Sequence, residues 1–351
     1  MSITDTLSPR EIVSLGWDDL VAWYEKVETT VLQRLGDDVC RQVYGDKVYL
    51  RGLVEFSNRC SCDCLYCGIR RSNTKVSRYT LSLEEMEETI GRGISLGFHT
   101  FVLQSGEAAS HTVDYVSALL KKVRKKYGDD FAITLSCGVY PREVYREWKK
   151  YGADRYLLRF ETSDEHLFEK LCPGKTLAFR LQALEDLRRE GYEVGSGFMV
   201  GLPGETVETR LGNVLLARKL GLEMVGIGPF LPHPDTPLGN GTPLPIEETL
   251  RVTALLRIFL PLANIPATTA AGTLHPRGRE MMLAAGANVL MPNITPVERK
   301  KHYLLYPNKI CIDEDGAECL SCLGLRVKSV GKEISMERGD SLGRRMNYAL
   351  W

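Results

Sequence analysis

Val48-Tyr49-Leu50-Arg51-Gly52-Leu53-Val54-Glu55-Phe56-Ser57-Asn58-Arg59-Cys60-Ser61-Cys62-Asp63-Cys64-Leu65-Tyr66-Cys67 joins an apolar run to a loop crowded with cysteines. Val48 to Phe56 reads as a first β-strand buried on both faces, as strands of parallel sheets are. The segment just after that strand separates one α/β fold from another. A dinucleotide-binding sheet would place a glycine-rich turn here, whereas this chain places thiols. Cys60, Cys64 and Cys67 stand in the spacing C-x3-C-x2-C, with an aromatic before the last. Three thiolates on one tight loop can hold a [4Fe-4S] cluster and leave its fourth iron open to a small chelating ligand. Zinc sites pair two short cysteine knuckles, or one knuckle with histidines, and no histidine lies near this loop. Cys62 is read as a non-ligand, because a thiolate on the fourth iron would close it.

Outward from this loop the chain repeats one grammar: amphipathic helix, glycine, a few residues, apolar strand. Leu96-Gly97 leads into Thr100 to Gln104, and Tyr151-Gly152 into Arg155 to Arg159. Gly191 precedes Gly195 to Val200, Gly221 precedes Met224 to Gly228, and Gly286 precedes Asn288 to Met291. A glycine just past a helix supplies the left-handed cap that turns the chain toward the next strand. Val48 to Phe56, Phe131 to Ser136 and Asn264 to Thr269 raise the expected strands to eight. Helices are expected at Leu83 to Leu96, Thr112 to Tyr127, Pro141 to Lys150, Phe179 to Glu190, Val207 to Leu220, Ile246 to Phe259 and Arg277 to Ala285. Strands alternating with helices in this number predict an α/β chain forming a (β/α)8 TIM-type barrel, over residues 46–293. An open α/β sheet is the alternative. Residues 1–45 read as a helical N-terminal extension, and 294–351 as an irregular C-terminal segment packed on the barrel.

Charge is balanced, 45 basic against 45 acidic side chains, so no global field draws in nucleic acid or anionic membrane. Lys121 to Lys126 reads as the solvated face of a helix. No apolar run approaches the ~20 residues a membrane span needs. Met1 to Trp17 lacks the basic segment and apolar core of an export signal. Ten cysteines without such a signal point to metal or redox chemistry in the cytoplasm. Open-iron clusters are oxygen-sensitive, so an anaerobic setting is expected.

The cysteine loop resembles that of the radical S-adenosylmethionine (radical SAM) superfamily. The similarity narrows to its HydE-like branch in Val54 to Asn58, Leu103 to Glu107, Arg155 to Arg159, Val225 to Phe230, His233 to Leu238, Ile265 to Ala270, Asn288 to Asn293 and Leu305 to Pro307. The resemblance implies that Cys60, Cys64 and Cys67 ligate a [4Fe-4S] cluster whose open iron receives S-adenosylmethionine (SAM). Tyr66 would pack by the adenine. Ser105-Gly106-Glu107 is similar to the superfamily's GGE element, which receives the SAM amino group. Glu161 would grip the ribose or ammonium and Arg180 the carboxylate, its planar fork suiting that group. Met199 opens a Gly-rich segment, to Thr206, that resembles the adenosine-contacting one.

Substrate is assigned to Arg159, Thr268, Thr269 and Tyr306. Arg159 and Glu161, two residues apart, can both point into a barrel. A mutual salt bridge is their plain alternative, since either is costly to bury unpaired. Thr268 and Thr269 can equally be ordinary strand residues. Cys311, Cys319 and Cys322, spaced C-x7-C-x2-C, match the branch's accessory site for a second [2Fe-2S] or [4Fe-4S] cluster; free thiols are the alternative. Cys137 reads as a packed thiol.

For activity, the resemblance implies reductive cleavage of SAM to a 5′-deoxyadenosyl radical, fed by a ferredoxin- or flavodoxin-type electron donor. The radical would attack a cysteine-ligated Fe(CO)2CN complex during maturation of the [FeFe]-hydrogenase cofactor, with the maturases HydG and HydF as partners. Rival expectations are a HydE-like paralogue, methylornithine synthase, biotin synthase, or a non-enzymatic iron-sulfur scaffold. Biotin synthase needs further cysteines inside the barrel, where only Cys137 is a candidate.

Overall fold

The computed structural model describes residues 7–108 and 111–344. The strand expected over Val48 to Phe56 breaks at Arg51 into β1 (Lys47–Leu50) and β2 (Gly52–Ser57). β2 begins a six-stranded parallel sheet that runs in chain order. Its other members are β3 (Thr100–Ser105), β4 (Ala132–Ser136), β5 (Arg155–Leu157), β6 (Glu193–Val200) and β7 (Met224–Pro229). β1 instead lies between β8 (Val289–Leu290) and β9 (Glu333–Ser335), parallel to both.

One expected strand, Asn264 to Thr269, does not form. Only isolated parallel bridges remain there, Met224 with Asn264 and Pro266 with Val289. Pro266 has no N–H to extend a ladder. Single hydrogen bonds carry the seam instead: Val225 N to Asn264 O (2.9 Å), Ala267 N to Val289 O (2.8 Å) and Tyr49 N to Asn288 O (2.9 Å). The TIM-barrel-like α/β fold is therefore present, with a six-stranded ladder and a seam stitched residue by residue.

Most expected helices form within two residues of their sequence bounds, and Ile246–Phe259 coincides with them. Within the barrel two short helices add to that set, Glu165–Leu171 and Thr269–Leu274, and the C-terminal segment expected to be irregular holds helices Val297–Lys300 and Gly316–Lys328. Helix Thr269–Leu274 corrects the strand reading of Thr268 and Thr269. Thr268 is the helix N-cap, its hydroxyl accepting from Ala271 N (3.4 Å), and Thr269 is the first helical residue. Gly152 turns into β5 with φ +97°, as a left-handed cap requires.

Three helices precede the barrel, Pro9–Ser14, Trp17–Lys26 and Thr29–Tyr44. The third lies on Ile246–Phe259, where a Cβ at Gly36 would sit 2.7 Å from Ala254 Cα. That cover explains why Ile246–Phe259 is buried nearly all round. After β9, residues 338–341 cross the N-terminal end of the barrel. Arg155, fully buried at the start of β5, donates there to Arg338 O (2.9 Å) and Asp340 (2.6 Å), and Asn264 donates to Gly339 O (3.1 Å). The opposite end, where the strands finish, carries the cysteine loop. Among the described residues no helix is long and apolar enough to cross a membrane.

Candidate active site

The cysteine loop leaves β2 and is sewn to the end of β3. Gly106 N donates to Ser57 O (3.0 Å), while Ser61 N (2.7 Å) and Ser61 Oγ (2.8 Å) both donate to Glu107 O. A Cβ at Gly106 would stand 2.7 Å from Cys60 Cβ, so glycine is what permits the approach. Asp63 anchors the far side, accepting from Arg70 Nε (2.8 Å) and Ser72 N (3.1 Å). Those bonds, chiefly the one from Arg70, hold its carboxyl well below the ordinary range.

Cys60, Cys64 and Cys67 are each half-buried on this loop, and Cys62 is buried beside them. Burial pushes the Cys67 thiol up to about 12. Hydrogen bonding to Cys172 and burial push Cys64 up; hydrogen bonding to Cys60 and burial do the same to Cys62. Among the described residues, no three cysteine, histidine or acidic groups are already drawn together as a metal site. Hydrogen bonding with Cys62 instead lowers the Cys60 thiol, so the free loop favours protonation of the other thiols, and a metal's charge is what would deprotonate and gather them.

Glu107 extends above the loop toward two cations. Lys175 Nζ forms an ion pair with Oε1, and Arg180 Nη2 stands 3.9 Å from Oε2. Arg180, expected on a helix where a lone arginine is usually exposed, is instead well buried and lies 6.0 Å over the Phe168 ring. Lys175 carries no signal in the sequence that would mark it for this place. Tyr66 lies alongside, its hydroxyl 3.9 Å from Cys172 Sγ.

Glu161 has φ +65°, a strained conformation for a non-glycine residue. It is held by Glu161 N to Gly197 O (3.0 Å) and Met199 N to Glu161 O (3.2 Å), which joins it to Met199 on β6. Arg159 and Glu161 lie beyond the end of β5 and do meet each other: Nε is 3.1 Å from Oε2, an ion contact without hydrogen-bond alignment. Arg159 Nη2 is buried with no hydrogen-bond partner among the described residues.

Deeper in, Glu55 on β2 pairs with Lys309, both buried, and accepts from Asn293 Nδ2 (2.9 Å). Tyr306 feels Glu55, Arg279, Cys311 and Arg159, with burial the main force raising its hydroxyl above the ordinary value. Arg279 Nε and Thr273 Oγ1 are also buried without a partner among the described residues. Thr268 presses on β7, where a Cβ at Gly228 would lie 2.9 Å from its hydroxyl. Arg279, Thr273 and the Glu55–Lys309 pair are not legible in the sequence, because nothing local marks a helix arginine as buried. Cys137 is the packed thiol expected, 3.4 Å from the Tyr156 hydroxyl.

The second thiol group is partly visible. Cys311 has φ +61° and lies 3.8 Å from Arg279 Nη2; Cys322, on helix Gly316–Lys328, lies 3.4 Å from Arg326 Nε. Cys319 shares that helix one turn earlier, but its side chain is outside the described residues.

The radical SAM superfamily model matches residues 54–217, and the biotin and thiamin synthesis associated domain matches residues 227–315. The [FeFe] hydrogenase maturase subunit HydE of Thermotoga maritima is 42% identical over 337 residues, covering 96% of each chain. This chain belongs to the HydE family of radical SAM proteins. The 3-methylornithine synthase of Methanosarcina acetivorans is more distant, 28% identical over 82% of each chain. A crystal structure of methylornithine synthase shares the fold, with TM-score 0.80 at 24% identity over 93% of this chain and 97% of that one.

The family's cofactors are a [4Fe-4S] cluster and SAM, and the residues present fit both. Three thiols on one half-exposed loop suit a cluster with one iron left open. A carboxylate sewn to that loop, two cations beside it and a buried Arg159 Nη2 without a hydrogen bond suit a charged amino-acid ligand.

Proposed function

We propose that this protein is the HydE-type maturase of an [FeFe]-hydrogenase, acting in the cytoplasm on the cysteine-ligated Fe(CO)2CN complex released by HydG. The observation that carries the reading is a cysteine loop bonded directly to Ser105-Gly106-Glu107, in a chain similar to HydE over nearly its whole length. When bound, the cluster and SAM supply an electron and a 5′-deoxyadenosyl radical for attack at the substrate's sulfur.

Cys60, Cys64 and Cys67 hold the cluster, and Cys62 stays a thiol outside the ligand set. Glu107 accepts from the amino group of SAM, Arg180 draws its carboxylate, and Glu161 meets the ribose. Tyr66 and Met199 flank the adenosine. Glu161 is rigidly placed by its strained backbone and its bonds to β6, which removes reorganisation on binding. Arg159, Thr268, Thr269 and Tyr306, joined by Arg279 and Thr273, face the anionic substrate. The buried unpartnered donors of Arg159, Arg279 and Thr273 support this assignment, because such groups are costly unless a ligand answers them. The barrel, assigned to residues 46–293, shields the radical from water, with the N-terminal extension of 1–45 and the C-terminal segment of 294–351 assigned as its cover; residues 1–6 and 345–351 lie outside the described residues. Cys311, Cys319 and Cys322 are assigned to an accessory cluster. A ferredoxin- or flavodoxin-type donor supplies electrons, and HydF receives the product's iron unit.

The test is anaerobic reconstitution, then addition of SAM and dithionite, scoring 5′-deoxyadenosine. Cys64→Ala should abolish it and Cys62→Ala should leave it intact. Adding the protein to apo-hydrogenase with HydG and HydF should then restore hydrogen evolution. Absence of 5′-deoxyadenosine from the loaded protein would leave only the scaffold reading.

A further inference from the structure

Lys175 belongs to no motif, yet its ammonium pairs directly with Glu107 at the centre of the site. It lies between Gly174, with φ +76°, and Thr176, which caps helix Leu177–Arg189. Its ammonium pairs with Glu107 Oε1, while the other oxygen sees Arg180 only at 3.9 Å. One carboxylate therefore faces two cations, and this group of three carries a net positive charge. The backbone of Glu107 cannot retreat from the cysteine loop, being bonded to Ser61 through both N and Oγ.

An α-amino acid that reaches an iron above this loop brings an amino N–H and a carboxylate side by side. The incoming N–H competes with Lys175 for the Glu107 carboxylate, and the cation better able to move is the one it displaces. Arg180 is the less able to move: its side chain is 12% exposed, on a helix and against the Phe168 ring. Lys175 has a flexible four-carbon stem on a glycine-flanked turn, and its side chain is 22% exposed. We propose that Lys175 exchanges partners, leaving Glu107 when SAM binds and taking the carboxylate of its methionine end. Lys175 is thus a SAM-binding residue held in reserve by the carboxylate it later frees. In the absence of ligand the Glu107–Lys175 pair keeps both charges compensated, so neither waits desolvated and unpaired.

This inference rests on the reading that SAM binds at the cysteine loop, and the experiment separates the two. Equilibrium binding to the anaerobically loaded protein is measured for SAM and for decarboxylated SAM, in wild type, Lys175→Met and Lys175→Arg. Loss of a charge-assisted hydrogen bond should weaken SAM binding to Lys175→Met by about 10- to 50-fold. Decarboxylated SAM should bind Lys175→Met within about twofold of wild type, or more tightly, because Glu107 is then unopposed. Lys175→Arg should keep SAM affinity within about threefold. Equal weakening of both ligands would mean that Lys175 merely orders Glu107, and unchanged SAM affinity would mean that it touches nothing on the ligand; either overturns the exchange. If Lys175→Met fails to load its cluster, Lys175→Gln takes its place in the same comparison. A loaded wild type that binds no SAM would instead defeat the reading beneath.

Discussion

Gly138 shows how a residue without chemistry can set the geometry of one that has it. It comes just after β4 with φ +105°, and a Cβ there would come within 2.6 Å of Glu107 Cβ and closer still to Cγ. Its carbonyl accepts from the Tyr156 hydroxyl (2.7 Å), which fixes the position from behind. Gly138→Ala should displace the Glu107 carboxylate and weaken SAM binding by about tenfold or more, with a stability loss of about 1–3 kcal/mol. Calorimetric titration of SAM beside a denaturation curve checks both; SAM affinity within twofold of wild type would refute the crowding argument. The cysteines and Ser105-Gly106-Glu107 are legible in the sequence because short spacing itself carries their chemistry. Gly138, Lys175 and Arg279 are not, because each acquires its role from a partner far along the chain. A glycine reads as a turn until the side chain filling its missing Cβ is known.

At the scale of elements, the turn from β6 into helix Val207–Lys219 is tied by a single carboxylate. Glu205 Oε2 accepts from Gly201 N (2.6 Å) and lies 3.3 Å from Arg210 Nε, with the side chain almost wholly buried. Burial raises its pKa from 4.5 to about 7, outweighing Gly201 N–H and Arg210, which lower it. A raised folded-state value means that the stabilising contribution is fully present below pH 4.5 and is lost as pH rises through about 7. The difference amounts to about 3 kcal/mol. Glu205→Gln keeps an acceptor for Gly201 without the charge, so its unfolding free energy should lack the decline expected of wild type between pH 5 and 7. Parallel urea titrations across that range decide it; identical slopes would contradict the assignment. The same scale shows where element reading stops. Helices ended by glycine are readable because the cap is local. Asn264 to Thr269 looks like a strand by its apolar run, but Pro266 cannot donate to a ladder and Thr268 offers its hydroxyl to a new helix turn. The first strand splits at Arg51 for a non-local reason: the backbone there leaves β8 (Arg51 N to Leu290 O, 3.0 Å) for β3, while its guanidinium donates to Gly339 O (3.3 Å) in the closing tail.

Across the whole molecule, the two ends of the barrel divide the work. The cysteine loop and its cations occupy one end, and the other is shut by residues 338–341, which bind strand beginnings that are remote in sequence. Arg155 is the centre of that closure, lying 3.1 Å from Glu193 and 2.6 Å from Asp340, with its side chain fully buried. Asp340 also meets Arg338 (3.1 Å), and Arg338 reaches Asp154 (2.6 Å), so tail and barrel share one charge network. Burial alone would raise the Asp340 carboxyl, but Arg155 and Arg338 together hold it below its ordinary value. A depressed value gives stability that is present above the unfolded-state value of 3.8 and lost as pH falls through the folded one. Asp340→Asn should therefore lower stability at pH 7 by about 1–2 kcal/mol, since Arg155 keeps Glu193 but loses its second anion. The variant and wild type should converge in acid, and SAM affinity should not change, because the substitution lies at the end away from Glu107. Denaturation at pH 7 and at acid pH, with SAM titration alongside, tests closure against catalysis. A loss of SAM affinity without a loss of stability would mean that the two ends are coupled through the barrel and that the tail is more than a plug.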